Sequence, residues 1–169
     1  MAKSLLIFDC RGKRDPLQWS FYEELRKYYT ISISSDFTTP LVEQVAHQNP
    51  PDLIYFGFQL RRDYLDRVSV EWLNASNIPV IVTVGDLRLF ISKIEYTQAY
   101  WRLKNIKYIV VKWRKEVPEP IWETQLRAFM MRGWKMAEMS REEYGTDPET
   151  FLRGAEIVYS PWGIPSIPM

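Results

Sequence analysis

Asn77 to Phe90 reads N-I-P-V-I-V-T-V-G-D-L-R-L-F, and this stretch constrains the fold more than any other. A turn residue and a proline feed a run of β-branched apolar residues. The run stops at Gly85, and Asp86 and Arg88 follow. Continuous apolar patterning of this length marks a strand buried on both faces, the usual state of a parallel strand covered by helices. Open α/β sheets bind ligands beyond the carboxyl ends of their strands. The place of a site is therefore easier to read than its chemistry.

The rest of the chain repeats the strand-and-helix rhythm. Apolar or alternating runs at Ser4–Phe8, Thr30–Ser34, Asp52–Phe58, Val80–Val84, Tyr108–Trp113 and Glu156–Tyr159 predict six strands. Asp15-Pro16 reads as N-cap and first helical position, with Phe21, Leu25 and Tyr28 at helical spacing and an end near Tyr29. Pro40 opens a short helix through Leu41, Val42 and Val45, which Asn49-Pro50-Pro51 stops. A helix is predicted over Asp63–Leu73. Another runs from about Lys93 to Lys104, where Ser92 and Glu95 have capping-box spacing. Pro118 and Pro120 introduce a helix carrying Ile121, Leu126, Phe129 and Met130, and Gly133 stops it. Helical turns are expected between Trp134 and Gly145, and again from Asp147-Pro148 to Gly154. The expected fold class is α/β: a three-layer Rossmann-like sandwich on a mainly parallel sheet of five to six strands. Residues 1–160 form one Rossmann-like domain, and 161–169 a Pro-rich extended tail.

Composition narrows the class of function. The chain has 169 residues, enough for one ordinary domain, and 46% hydrophobic residues, enough for a core. A net charge of +1 supplies no global field for nucleic acid, which argues against that partner. No apolar run reaches the roughly 20 residues of a membrane span, and no basic-then-apolar leader is present. Cys10 and His47 are the only residues of their kinds, which excludes an intrachain disulfide and a Cys/His zinc site. The expectation is a cytoplasmic protein with no cofactor and no metal.

With this topology the loops after the strands gather on one rim. They carry Asp9, Arg11, Lys13 and Arg14, then Ser35 and Asp36, then Gln59, Arg61 and Arg62, then Asp86 and Arg88, and finally Lys112, Arg114 and Lys115. Nine are basic and three acidic in a nearly neutral chain, an asymmetry that suits a phosphate, nucleotide or carboxylate. Solvated loops also favour Arg and Lys, so the bias alone does not make a site. The first loop, D-C-R-G-K-R-D-P, lacks both glycine-rich phosphate motifs, which argues against a dinucleotide bound in the usual way.

Catalytic patterns are sparse. His47 falls on the opposite rim, in a helix-to-strand segment, and reads as a surface or packing residue. Cys10 stands beside Arg11, which favours a thiolate, but no histidine is near to act as base, so an inert buried thiol is expected. Asp9, Asp36 and Asp86 offer a general base or a magnesium site, but the role of helix cap or partner for a nearby Arg is the commoner one for such residues. Asp86 and Asp9 are the best candidates for catalysis.

N-P-P-D-L-I-Y-F at Asn49–Phe56, I-P-V-I-V-T-V-G-D at Ile78–Asp86 and E-I-V-Y-S-P-W-G-I-P at Glu156–Pro165 together resemble the N-terminal Rossmann-like half of a GT-B glycosyltransferase, of the group that includes spore-protein glycosyltransferases. The motifs are short but span nearly the whole chain. The resemblance implies an acceptor-side domain that binds an acceptor or a nucleotide-sugar and is not competent alone. The second Rossmann domain of such enzymes would begin where this chain stops, at Met169. It implies a partner domain or protein reached through the tail, and a ligand cleft lined by Asp9, Arg11, Arg14, Gln59, Arg61, Asp86, Arg88 and Lys112. Asp86 matches the position facing the cleft between domains.

A second resemblance is to response-regulator receiver domains. Asp9 after the first strand, Thr83 in I-P-V-I-V-T and Lys112 at the end of the fifth strand fit a receiver's acidic, Thr and Lys positions. Gly57 stands where the phospho-acceptor belongs, and one acid rather than a pair follows the first strand. This resemblance implies a degenerate receiver acting as a protein-interaction module. For a non-catalytic module that docks a partner, the tail with Trp162, Ile164 and Ile167 is the candidate docking segment; it could equally fold back across the chain's own helices.

Overall fold

A computed structural model describes residues 2–9, 16–36, 38–46, 50–85, 94–111 and 155–159. The elements run β1 (Lys3–Phe8), α1 (Pro16–Leu25), β2 (Tyr29–Ser34), α2 (Leu41–Ala46), β3 (Leu53–Gln59), α3 (Arg67–Ser76), β4 (Val80–Val84), α4 (Ile94–Trp101), β5 (Ile106–Val111) and β6 (Glu156–Tyr159). The readings made for Cys10, His47 and residues 112–154 lie outside the described residues.

All six strands are parallel, in the order β2-β1-β3-β4-β5-β6. The expected α/β sandwich on a parallel sheet is what the chain forms. Alternation along β1 and β3 sends side chains to two separate cores. One face collects Leu6, Phe8, Ile54, Phe56, Val80 and Val82, covered by Leu41 and Val45 of α2, Val70 and Leu73 of α3, and Ala99 and Tyr100 of α4. The other collects Leu5, Ile7 and Tyr55, covered by Trp19, Tyr22 and Leu25 of α1. The chain thus moves outward from β1 to β2 over one face and returns through β3, β4 and β5 over the other. Crossovers of a single hand require this division. The direction reverses between β1 and β3, so the topological switch point lies there.

Local sequence explains most boundaries. Pro16 is the first residue of α1, where its missing N–H costs nothing. Asn77 ends α3 in the left-handed region at φ 58°, a role Asn tolerates better than most residues. Several boundaries depart from expectation, among them the end of α4, at Trp101 rather than near Lys104. The helix predicted over Asp63–Leu73 splits into a 3-10 turn at Arg62–Tyr64 and α3 proper, because Asp66 takes the N-cap and accepts from the Ser69 N–H at 2.9 Å. The helix α1 ends at Leu25 and its apolar face is turned from the predicted one. Tyr22 is fully buried, whereas Phe21 is 39% and Tyr28 66% exposed. The fifth strand starts two residues earlier than predicted and reaches Val111. The sixth strand forms at Glu156–Tyr159 as predicted, and it pairs with β5 in parallel.

Candidate functional site

The carboxyl end of β1 places Asp9 on the α1 side of the sheet, beside β3. Its carboxylate is fully buried. The Tyr22 hydroxyl donates to Asp9 Oδ2 at 2.5 Å and accepts from Gln18 Nε2 at 2.8 Å. Burial and then the Asp9 hydrogen bond push the Tyr22 phenol far above its ordinary range, so it stays protonated and donates. Gly57 lies beneath. A Cβ there would stand 2.0 Å from the Tyr22 hydroxyl oxygen and 3.3 Å from Asp9 Oδ2. The pairing of β3 with β4 also shifts register between Phe56 and Gln59, across Gly57. At the switch point, where a ligand crevice is expected, the space between Asp9 and Gly57 therefore holds a tyrosine tip.

One strand over, Thr83 Oγ1 donates to the Tyr55 hydroxyl at 3.1 Å in a buried contact. The Tyr100 hydroxyl donates to the Thr83 carbonyl from the opposite side. Gln59 Oε1 accepts from the Gly85 N–H at 3.1 Å, which ties together the carboxyl ends of β3 and β4. The last two of these bonds satisfy backbone groups where the sheet stops.

The loop after β3 and the helix after β4 meet on the opposite face in a groove of about 440 Å³, lined among the described residues by Arg61, Arg62, Asp63, Leu65, Glu95 and Arg102. Arg61 is fixed within it. Its Nε and Nη2 form a two-pronged pair with Asp63, at 2.9 and 2.6 Å. Its guanidinium carbon sits 5.5 Å from the Tyr64 ring centre and 6.0 Å from that of Tyr96. Such a pair defines a plane as well as a charge. The Asp63 hydrogen bond holds the guanidinium further into its charged range. Arg102 Nη1 donates to the carbonyls of Arg62 and Leu65, at 3.1 and 3.3 Å, and so pins the turn to the end of α4.

Of the residues predicted to line a cleft, the structure describes Asp9, Gln59 and Arg61. They do not share one pocket: Asp9 is buried against α1, Gln59 closes two strand ends, and Arg61 faces the groove. Arg11, Arg14, Asp86, Arg88 and Lys112 lie outside the described residues. Asp36 does not face the groove. Hydrogen bonds from Thr39 and Thr38 hold its carboxyl well below the usual range, in a local turn. Glu95, Arg102, Tyr64 and Tyr96 were missed as site residues. They sit within or after helical segments, and a search confined to strand-following loops passes over them. Tyr22 was missed because the helical face was assigned to Phe21.

Comparison with known protein families, curated proteins and solved structures returns no match. Among the described residues no helix is long and apolar enough to cross a membrane, and no group of three or more His, Cys, Asp or Glu is placed to hold a metal ion.

Proposed function

We propose that this chain is a ligand-binding domain that does no chemistry alone: the acceptor-side half of a GT-B-like glycosyltransferase, cytoplasmic, completed by a second domain or a partner protein. One observation carries the reading. The groove beyond the carboxyl ends of β3 and β4 holds Arg61 in a fixed plane, with Arg62 and Arg102 beside it. This is the edge where open parallel sheets bind ligands, and immobilised guanidinium groups orient oxygen-rich ligands through in-plane hydrogen bonds. The I-P-V-I-V-T-V-G-D stretch and the Pro-Trp-Gly tail supply the glycosyltransferase part of the reading.

The buried Asp9–Tyr22 contact supports the non-catalytic part. A general base needs reach to a substrate proton, and this carboxylate is fully enclosed with a phenol on it. The test is calorimetry of the full chain against nucleotide-sugars, sugar phosphates and simple saccharides. Heat of binding that Arg61→Ala abolishes supports the proposal. Sugar transfer by the purified chain alone refutes the non-catalytic part, and silence across the panel refutes the ligand-binding part.

A further inference from the structure

The groove's hydrogen-bonding inventory says more about the ligand than its count of arginines does. Arg61 commits Nε and Nη2 to Asp63, which neutralises its charge at short range. Its guanidinium carbon lies 5.5 Å from the Tyr64 ring centre and 6.0 Å from that of Tyr96, so a base stacked on that guanidinium would compete with rings already beside it. What Arg61 still offers is the two N–H groups of Nη1, which has no hydrogen-bond partner among the described residues, and the second N–H of Nη2. Glu95, in the first turn of α4, lines the same groove and has no hydrogen-bond or ion-pair partner among the described residues. A partly covered carboxylate accepts hydrogen bonds and repels anions.

A ligand that uses both groups must therefore give hydrogen bonds to Glu95 and take them from Arg61. A phosphate accepts at Arg61 but opposes Glu95. A hydroxyl group does both, because it carries one donor and two acceptor lone pairs. From this we infer that the groove binds a neutral polyhydroxylated ligand, a saccharide, through hydroxyl groups shared between Glu95 and Arg61 Nη1, and that it is not a phosphate site. The inference rests on the groove being the ligand site proposed above, and it replaces the anion expected from loop composition with a neutral sugar.

Saturation-transfer NMR on the full chain tests this with glucose, galactose, mannose and N-acetylglucosamine on one side and inorganic phosphate and UDP on the other. At least one saccharide should bind. Glu95→Gln keeps the shape of the side chain but loses its charge, and should weaken that saccharide about tenfold, as losing a hydrogen bond to a charged group does. Glu95→Ala should weaken it at least as much, and Arg61→Lys, which cannot keep the two-pronged pair, should weaken it too. Circular dichroism of each variant separates lost binding from lost fold. Binding of phosphate or UDP without any saccharide overturns the sugar assignment and leaves the groove as an anion site. Saccharide binding indifferent to Glu95→Gln and Glu95→Ala also overturns it. No binding by either class overturns both this inference and the groove as a ligand site.

Discussion

The Tyr22 hydroxyl donates to the buried Asp9 carboxylate at 2.5 Å and occupies the space that a side chain at position 57 would need. Helix α1 and strands β1 and β3 are locked together at one point by a hydrogen bond and a close packing contact. The absence of a side chain at Gly57 is what allows the contact. A buried carboxylate is tolerated only with donors on it, and Tyr22 supplies one while spanning the gap between helix and sheet.

Gly57→Ala should therefore destabilise the fold by about 1–3 kcal/mol, the usual cost of overpacking a core. A Cβ 2.0 Å from a fully buried tyrosine tip forces the ring or the strand to move. In the Tyr22→Phe background the nearest ring atom is 3.3 Å away, so the same substitution should cost less there. Urea denaturation of the two single variants and the double variant gives the coupling between them. Additive costs would show that Tyr22 does not fill the space above Gly57.

Two buried phenols make stability fall in alkali. Burial raises the pKa of both Tyr22 and Tyr100, and the Asp9 carboxylate raises that of Tyr22 further. A group whose folded pKa is raised keeps its full contribution below its unfolded value and loses it as pH climbs towards the folded one. Stability should therefore fall above about pH 10, where an unfolded tyrosine ionises, by up to about 1.4 kcal/mol per pH unit for each phenol. Tyr100→Phe should make this limb shallower by one proton. Urea midpoints at pH 9, 10 and 11 for wild type and variant read the difference, and identical slopes would rule it out.

The sheet was legible because its signal is redundant. Each strand from Ser4 to Val84 is an apolar or alternating run closed by turn residues, so small errors at its ends leave it in place. The face of α1 was not legible. F-Y at 21–22 offers two aromatic rings about 100° apart on a helix, and only the Tyr22–Asp9 contact, made across 13 residues of chain, decides which turns inward. The groove was half legible. Arg61 and Arg62 follow β3 as expected, but Glu95 and Arg102 arrive from a helix whose approach is tertiary information. The N-terminal limit of α3 depended on which aspartate caps it. Asp63 and Asp66 both stand before apolar residues, and the pairing of Asp63 with Arg61 leaves Asp66 as the cap.

A clasp joins the starts of β1 and β3 and should show in acid. The Ser4 N–H and hydroxyl both donate to Asp52 Oδ2, at 2.7 and 2.9 Å, and the Asp52 N–H returns to the Ser4 hydroxyl oxygen at 3.0 Å. The Ser4 N–H, then its hydroxyl, hold the Asp52 carboxyl below its ordinary range. A depressed carboxylate contributes above its unfolded pKa, and that contribution is lost as pH falls through the folded value. Asp52→Asn should therefore lose less stability than wild type as pH falls from about 4 downward. Thermal melts at pH 6, 4, 3 and 2 follow the two proteins, and parallel curves would exclude the clasp as an acid-sensitive contact.

The cap of α3 also holds the start of α2, and Ser69 should prove the costlier of the two residues that build it. The Ser69 N–H and hydroxyl both go to Asp66, at 2.9 Å to Oδ1 and 2.6 Å to Oδ2, while Ser69 Oγ accepts from the Leu41 N–H at 3.0 Å. Ser69 is fully buried between the two helices. Asp66→Ala removes a cap at a cost of about 0.5–2 kcal/mol. Ser69→Ala instead leaves the Leu41 N–H without its acceptor in a buried setting, a cost of about 1–3 kcal/mol. The double variant should cost less than the sum, because the Asp66–Ser69 bonds are counted in both single changes. The Ser69 hydroxyl is also the main cause of the lowered Asp66 pKa, so Ser69→Ala should reduce the stability lost as pH falls through the carboxylate range. Urea midpoints at neutral pH and at pH 3 for all four proteins measure both effects. Strict additivity with an unchanged acid response would mean that Asp66 caps α3 without help from Ser69.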